Sequence, residues 1–336
     1  MNRLLLDTLL GQNETGRTPI WLMRQAGRYM AEYLEIRRKH SILEMFRNAD
    51  LISEVTQLPF KIAPFDAAIL FADILLALDC LDIEWSIEPG RGPVIDDPIR
   101  SASAVERLEI RPARETLPFW RPAIAELLAR LDVPLLGFCG GPLTLASYIV
   151  EGGSSKELAT TRKWMARDPK SFHQLMEKVT DVAIDLVDYQ VECGVHAVQI
   201  FDTWASVLSP SSYRELCLPH MRRLRESVSV PVILFCRGSA THAPLLADLN
   251  PEGLGIDWSC ELSAMRKRLG SKVILQGNFD PYLLFGNQEQ VRTEAQRLLK
   301  EMRRDNHYIF NLGHGVLPET PVENVQELVA TVQEGL

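Results

Sequence analysis

Tyr308-Ile309-Phe310-Asn311-Leu312-Gly313-His314-Gly315 places a short, largely apolar run directly before a histidine held between two glycines. Such a run reads as a strand buried on both faces, the kind that belongs to a parallel sheet. The histidine is sterically open and unsuited to core packing, so the chain changes from packing to exposure where the strand ends.

The same succession recurs upstream. Short apolar or β-branched runs at 67–71, 134–139, 197–201, 230–236, 253–258 and 272–276 read as further buried strands. Amphipathic stretches between them, such as 169–193 and 289–303, read as helices, giving repeated βα units. Polar or glycine-rich groups follow nearly every run at its C-terminal end. Asp73 follows the first, Gly140-Gly141-Pro142 the second, Asp202-Thr203 the third, Arg237-Gly238 the fourth, and Asn278 and Asp280 the run at 272–276. A ring of such positions at one end is the active face of a (β/α)8 barrel. The expected fold is therefore α/β, a single TIM-type barrel domain over 1–336 with an N-terminal extension and an eighth strand not located. An open doubly wound sheet is the structural alternative. Ser41 with Glu44, Ser212 with Glu215 and Thr320 with Glu323 fit capping boxes at helix starts, with Pro321 at a first-turn position.

Composition narrows the function classes. The 336 residues are 46% hydrophobic and 24% charged, enough for a large core, and no linker, repeat or low-complexity tract divides them. A formal charge of -8 argues against a general nucleic-acid or anionic-membrane binder. It leaves room for a basic pocket, since exposed charges are screened beyond about 8 to 10 Å. Cys80, Cys139, Cys193, Cys217, Cys236 and Cys260 are scattered without a C-x-x-C pair, which suits a reducing cytoplasm, and the N-terminus carries no secretory pattern. The apolar stretch 67–85 contains Asp73, Asp79 and Asp82, each costing about 2.5 to 3.5 kcal/mol at a bilayer centre, so it reads as soluble core.

Four places could carry chemistry. Arg24 and Arg28 flank Gln25-Ala26-Gly27, with Arg37 and Arg38 following. Planar guanidiniums fork onto carboxylates, although a solvated basic cluster has the same pattern. Asp73, inside the apolar Leu70-Phe71-Ala72-Asp73-Ile74-Leu75, either caps the helix beginning near Ile74 or faces a cavity. Gly140-Gly141-Pro142-Leu143-Thr144 leads to Tyr148 but lacks both the P-loop ending and the dinucleotide-fold spacing, while a phenol at 148 can reach a polar ligand. His314 ends the last strand. The remaining histidines have no metal-ligand spacing and read as structural.

Trp21-Leu22-Met23-Arg24-Gln25-Ala26-Gly27-Arg28-Tyr29, Phe71-Ala72-Asp73-Ile74-Leu75, Ser147-Tyr148-Ile149-Val150-Glu151-Gly152-Gly153, Phe201-Asp202-Thr203-Trp204, Leu275-Gln276-Gly277-Asn278 and Asn311-Leu312-Gly313-His314-Gly315 together resemble the uroporphyrinogen decarboxylase family. The resemblance extends from about residue 18 to the C-terminus. It implies a (β/α)8 barrel, usually a homodimer, that converts uroporphyrinogen III to coproporphyrinogen III without cofactor or metal. It also implies substrate contacts at Arg24, Gln25, Ala26, Gly27, Arg28, Arg37, Asp73, Tyr148, Thr203 and His314, with Asp73 stabilising the transition state at the pyrrole N–H groups. Two positions depart from the family pattern: Ala31 stands where proline is common, and Ala205-Ser206 where a glycine pair is common. A zinc methyltransferase of the same barrel superfamily is the enzyme rival, but Leu234 stands in place of its histidine and His314 in place of its later cysteine, leaving Cys236 alone. A catalytically idle tetrapyrrole-binding barrel is the rival of another class.

Overall fold

The computed structural model describes residues 1–336 apart from Lys272 and Arg304. Nine strands are present among the described residues: β1 (Ala68–Ile69), β2 (Ser86–Glu88), β3 (Gly92–Val94), β4 (Leu135–Gly140), β5 (Ala197–Phe201), β6 (Val232–Phe235), β7 (Gly253–Ile256), β8 (Ile274–Phe279) and β9 (Tyr308–Leu312). Seven form one parallel sheet in the order β1-β4-β5-β6-β7-β8-β9, and β2 pairs with β3 as a separate antiparallel hairpin. The parallel α/β expectation therefore holds, and the open sheet of the alternative does not: the segment at Ile20 touches both edges. Ile20 bridges Phe310 of β9 in parallel, while its carbonyl accepts from the N–H of Asp66 ahead of β1 at 2.8 Å. The sheet is thus curled.

Two expected strands appear with the expected bounds, at 197–201 and 308–312. The first run shrinks to two residues: Ala68 and Leu70 N–H donate to Pro134 O and Leu136 O, and no further ladder bond to β4 follows among the described residues. The run at 230–236 begins later, at Val232, because Pro231 has no N–H to give. The run at 253–258 ends at Ile256. Of the run expected at 272–276, Lys272 lies outside the described residues. The strand there is Ile274–Phe279, longer at its C-terminal end because Gly277, Asn278 and Phe279 continue to pair with Phe310, Asn311 and Leu312.

Helices cover the outer face. The longest, Pro169–Cys193, has the expected bounds: Asp168 caps it by accepting from Ser171 N–H, and Gly194 ends it at φ 109°. Ser41 caps the helix Ile42–Arg47 as expected, but the Glu44 carboxylate pairs with His40 rather than reaching back. The other two expected boxes are corrected. Ser209, three residues before Ser212, caps Pro210–Leu216, where Pro210 fixes the first turn. Thr320 caps nothing: Pro321 is the cap residue of Val322–Glu334, and the Thr320 hydroxyl is buried without a partner among the described residues. A reciprocal box is formed instead by Asn287 and Gln290. The interior of the curled sheet packs Trp21, Met23, Ala67, Leu136, Ala197, Ile233, Phe235, Ile274 and Ile309 against Leu5, Leu6 and Leu9 of the helix Leu4–Leu9. Each such large apolar side chain, fully buried, contributes about 1.5–3 kcal/mol. The strands' C-terminal ends are left as the open face.

Candidate active site

A cavity of about 400 Å³ lies at that face, within the range of small-molecule sites. Its floor is a row of aromatic rings. Phe201 of β5 sits in register with Phe235 of β6, so that Phe138, Phe201, Phe235 and His314 follow one another with ring centroids 6.0 Å apart at each step. Phe46 and Phe71, 5.2 Å between centroids, form part of the wall. Edge-to-face packing along the row from Phe138 to His314 fixes those rings in place.

Asp73 is the acid of this cavity. One carboxylate oxygen accepts from Leu75 N–H at 2.9 Å and caps the short helix Ile74–Leu81, and the other has no hydrogen-bond partner among the described residues. Both sequence readings of Asp73 therefore hold at once. The side chain is enclosed by protein yet keeps part of its surface open to the cavity. Burial pushes its pKa up, opposed by the Leu75 N–H bond and by the Arg24 charge.

Arg24 lines the cavity with its backbone in the left-handed region, φ 58°. The loop holds that conformation because its neighbours are tied down. Met23 N–H donates to the Asn311 side chain, Val316 N–H donates to Met23 O, and the Gln25 amide accepts from Leu22 N–H and donates to Ala67 O. Gln25 thus lines the cavity with its amide already engaged by backbone, and Ala26 lines it beside Gln25. Gly27, Arg28 and Arg37 fall outside the lining. Arg28 is exposed, and Arg37 donates to His40 O at the end of the helix Ala31–Lys39. Their charges act at the cavity's margin: Tyr33, whose ring packs edge-on to Phe71 of the wall, has its pKa raised by burial and pulled back by Arg37 and Arg28. Ala31 begins that helix, a position where proline and alanine are both harmless.

Tyr148, on the helix Pro142–Glu151, packs edge-on against Trp204 and keeps its proton, because burial first and the Asp73 charge second raise its pKa. Thr203 lines the cavity from the loop after β5. That loop is braced by buried Asp202, which accepts from Tyr213 Oη at 2.6 Å and from Thr144 Oγ1 and N–H at 2.8 and 3.1 Å. His314 is driven down to about 4 by burial, then by the Arg24 and Arg237 charges, so its ring is neutral at physiological pH.

The sequence reading places Arg237 only among the ring positions and Thr144 only in the glycine-rich loop, neither as a substrate contact, and gives Trp204 and the phenylalanine row no role, yet all of them line the cavity. Position alone puts Arg237 on the active face, since it directly follows the fourth run. The phenylalanines carry no such signal, because they resemble ordinary core. No group of three His, Cys, Asp or Glu side chains is placed to hold a metal among the described residues. Cys236 is buried outside the lining, with its thiol pushed well up by burial.

A curled parallel α/β sheet with an aromatic-floored cavity carrying a few polar groups at its C-terminal ends is the layout of the barrel class of enzymes. Its closest features recur in known proteins. A solved methyltransferase from Methanosarcina mazei superposes with a TM-score of 0.80 at 22% identity, covering 99% of this chain and 98% of that one, a likeness of fold. The family model described as Uroporphyrinogen decarboxylase (URO-D) matches residues 1–335. Relatives called uroporphyrinogen decarboxylase are 42% identical in Protochlamydia amoebophila, covering 99% of this chain and 92% of the relative, and 40% identical in Carboxydothermus hydrogenoformans, covering 99% and 97%. The chain belongs to the uroporphyrinogen decarboxylase family.

Proposed function

We propose that this chain is a carboxy-lyase of tetrapyrrole biosynthesis that converts the four acetate side chains of uroporphyrinogen III to methyls, giving coproporphyrinogen III and CO2. The observation that carries the reading is Asp73: a carboxylate with one oxygen spent on a cap and the other open to an aromatic-floored cavity lined by Arg24.

An acetate on a pyrrole holds its CO2 because the electron pair left behind needs an acceptor. A proton added to the α carbon next to the acetate-bearing position makes the ring a cation. The bond to the carboxylate then breaks, its electron pair neutralises the ring as an exocyclic methylene, and CO2 leaves. Protonation of that methylene and loss of the first added proton give the methyl, with a net uptake of one proton. The substrate's own ring is the electron sink, so no cofactor is called for. Asp73 accepts hydrogen bonds from the pyrrole N–H groups and stabilises the cation as it forms, a contribution of about 3–4 kcal/mol for a preorganised group of this kind. Arg24, Arg28 and Arg37 orient the carboxylates of the rim, and the backbone at Gln25, Ala26 and Gly27 lets them approach. Tyr148, Thr203 and neutral His314 complete the polar contacts over the phenylalanine floor.

The fold reading extends to closure and assembly. The segment at 19–23 is the eighth, closing strand of a (β/α)8 barrel, supported by Phe310 N–H donating to Pro19 O at 2.9 Å, and residues 1–18 are the extension before it. A homodimer is supported by Trp258, Tyr282, Leu283 and Phe285, four exposed large apolar side chains following β7 and β8 on the cavity face, Tyr282 at 67%. No helix is long and apolar enough to cross a membrane. A cytoplasmic enzyme acting on a small-molecule substrate, with no nucleic-acid or membrane partner, accords with the acidic charge.

The test is anaerobic incubation with uroporphyrinogen, followed by oxidation and chromatography of the porphyrins. A series of progressively decarboxylated products ending at coproporphyrin supports the reading, and recovery of uroporphyrin alone refutes it in favour of a binding protein.

A further inference from the structure

Two cationic side chains line the cavity, Arg24 and Arg237, and only one of them belongs to the arginine motif. Arg237 stands two residues past the end of β6, the fourth and middle strand of the seven-stranded sheet, whereas Arg24 sits on the segment that touches both sheet edges. In a curled sheet these are opposite sides of the opening. The guanidinium of Arg237 is exposed and makes no hydrogen bond or ion pair with any described residue. Its backbone, by contrast, is held from two sides. Gly238 N–H donates to Asp257 Oδ2 at 2.7 Å, Ser239 Oγ donates to Cys236 O at 3.0 Å, and Asp257 N–H donates to Ser239 Oγ at 3.0 Å. On the other side, Gly238, with φ 67°, lies against Ser206, where a β-carbon at 238 would come within 2.7 Å of Ser206 Cβ. A fixed stem under a free, planar, always-charged head is the arrangement that meets an anion at a set place.

We propose that Arg237 grips a peripheral carboxylate of the bound tetrapyrrole from the side of the cavity opposite the arginine motif. A tetrapyrrole carries carboxylates around its whole rim, while Arg24, Arg28 and Arg37 come from one short stretch of chain. Without Arg237, the rim carboxylates on the β6 side would meet no cationic side chain of the lining, only neutral groups such as Thr203, Trp204, His314 and the phenylalanine rings. The role is binding and orientation, with the chemistry left to Asp73. This inference rests on the cavity being the substrate site.

The experiment compares steady-state decarboxylation of uroporphyrinogen by the parent, Arg237→Gln, Arg237→Lys and Asp73→Asn, with unfolding midpoints as a control. For Arg237→Gln a KM raised about tenfold or more is expected, with kcat within about threefold and the midpoint within about 2 °C of the parent. Arg237→Lys restores most of the KM, since a charge remains. A KM for Arg237→Gln within twofold of the parent, alongside an inactive Asp73→Asn, overturns the role of Arg237 alone. Full activity of Asp73→Asn overturns the reading of the cavity itself, and this inference with it.

Discussion

The side chain of Arg24 lies across Gly315, so closely that a β-carbon at 315 would stand 2.6 Å from Arg24 Cγ and 3.0 Å from Arg24 Cβ. The arginine motif near one end of the chain is thereby seated on the Gly-His-Gly turn near the other, and the glycine after His314 is what makes the room.

Gly315→Ala is therefore expected to displace Arg24 rather than unfold the enzyme. The contact reaches Arg24 Cβ, so the whole side chain must shift, and the loop carrying it is pinned by Met23 and Gln25. Steady-state assays should show KM for uroporphyrinogen raised about tenfold, while chemical denaturation shows a loss of no more than about 1–3 kcal/mol, as for other small overpacking changes.

Asp202 is expected to be a pillar of the site rather than a participant. Removing its carboxylate leaves the Tyr213 hydroxyl and the Thr144 hydroxyl and N–H buried without an acceptor. Asp202→Ala should cost about 3 kcal/mol in a urea or guanidinium titration, and Asp202→Asn, which keeps one acceptor oxygen, distinctly less. Because Thr144, Thr203 and Trp204 all line the cavity around this brace, the alanine variant that does fold should also bind substrate more weakly.

These elements show what could and could not be read in advance. Ala197–Phe201 and Pro169–Cys193 were legible to the residue because each is bounded by strong local signals: a Gly-Val-His turn before one, and Asp168-Pro169 and Gly194 around the other. The segment around Ile20 was not legible as part of the sheet. It joins through one bridge and a few long-range hydrogen bonds, which leave no periodic trace in so short a run. Asp73 was legible because a carboxylate inside an apolar run needs a reason, though no local pattern tells that the cap and the cavity share its two oxygens. The Asn287–Gln290 box was hidden by the glycine before it, and the hairpin Ser86–Val94 by its half-buried, mixed composition. Residue type alone could not separate Arg37, which is partly committed to His40, from Arg237, whose head is free.

Two titrations should shape the pH dependence in opposite ways. Asp73 has its pKa raised by burial, so the ionised form is lost as pH falls through a value above the ordinary 3.8, and kcat/KM, which reports the free enzyme, should decline on an acid limb displaced upward from that of a free carboxylate. His314 has a folded pKa of about 4 against 6.5 unfolded. Between those values the unfolded chain binds the extra proton, so this contribution to stability is complete above 6.5 and is lost as pH falls toward 4. Unfolding midpoints across that window should fall less steeply with acid in His314→Gln than in the parent; parallel curves would contradict a neutral His314.

The central claim is that a single carboxylate, Asp73, lowers the barrier while the arginines only orient. Asp73→Asn tests it most directly, because asparagine retains an oxygen for the Leu75 N–H and caps a helix as well as aspartate does. Its folded-state pKa is raised, so at neutral pH the ionised carboxylate carries a cost to stability that the amide lacks. Single-turnover decarboxylation of enzyme-bound uroporphyrinogen by this variant, compared with its unfolding midpoint, is the measurement. The account predicts a rate at least about 10²–10³ below the parent with a midpoint equal or higher; a folded Asp73→Asn enzyme that decarboxylates at the parent rate would contradict it.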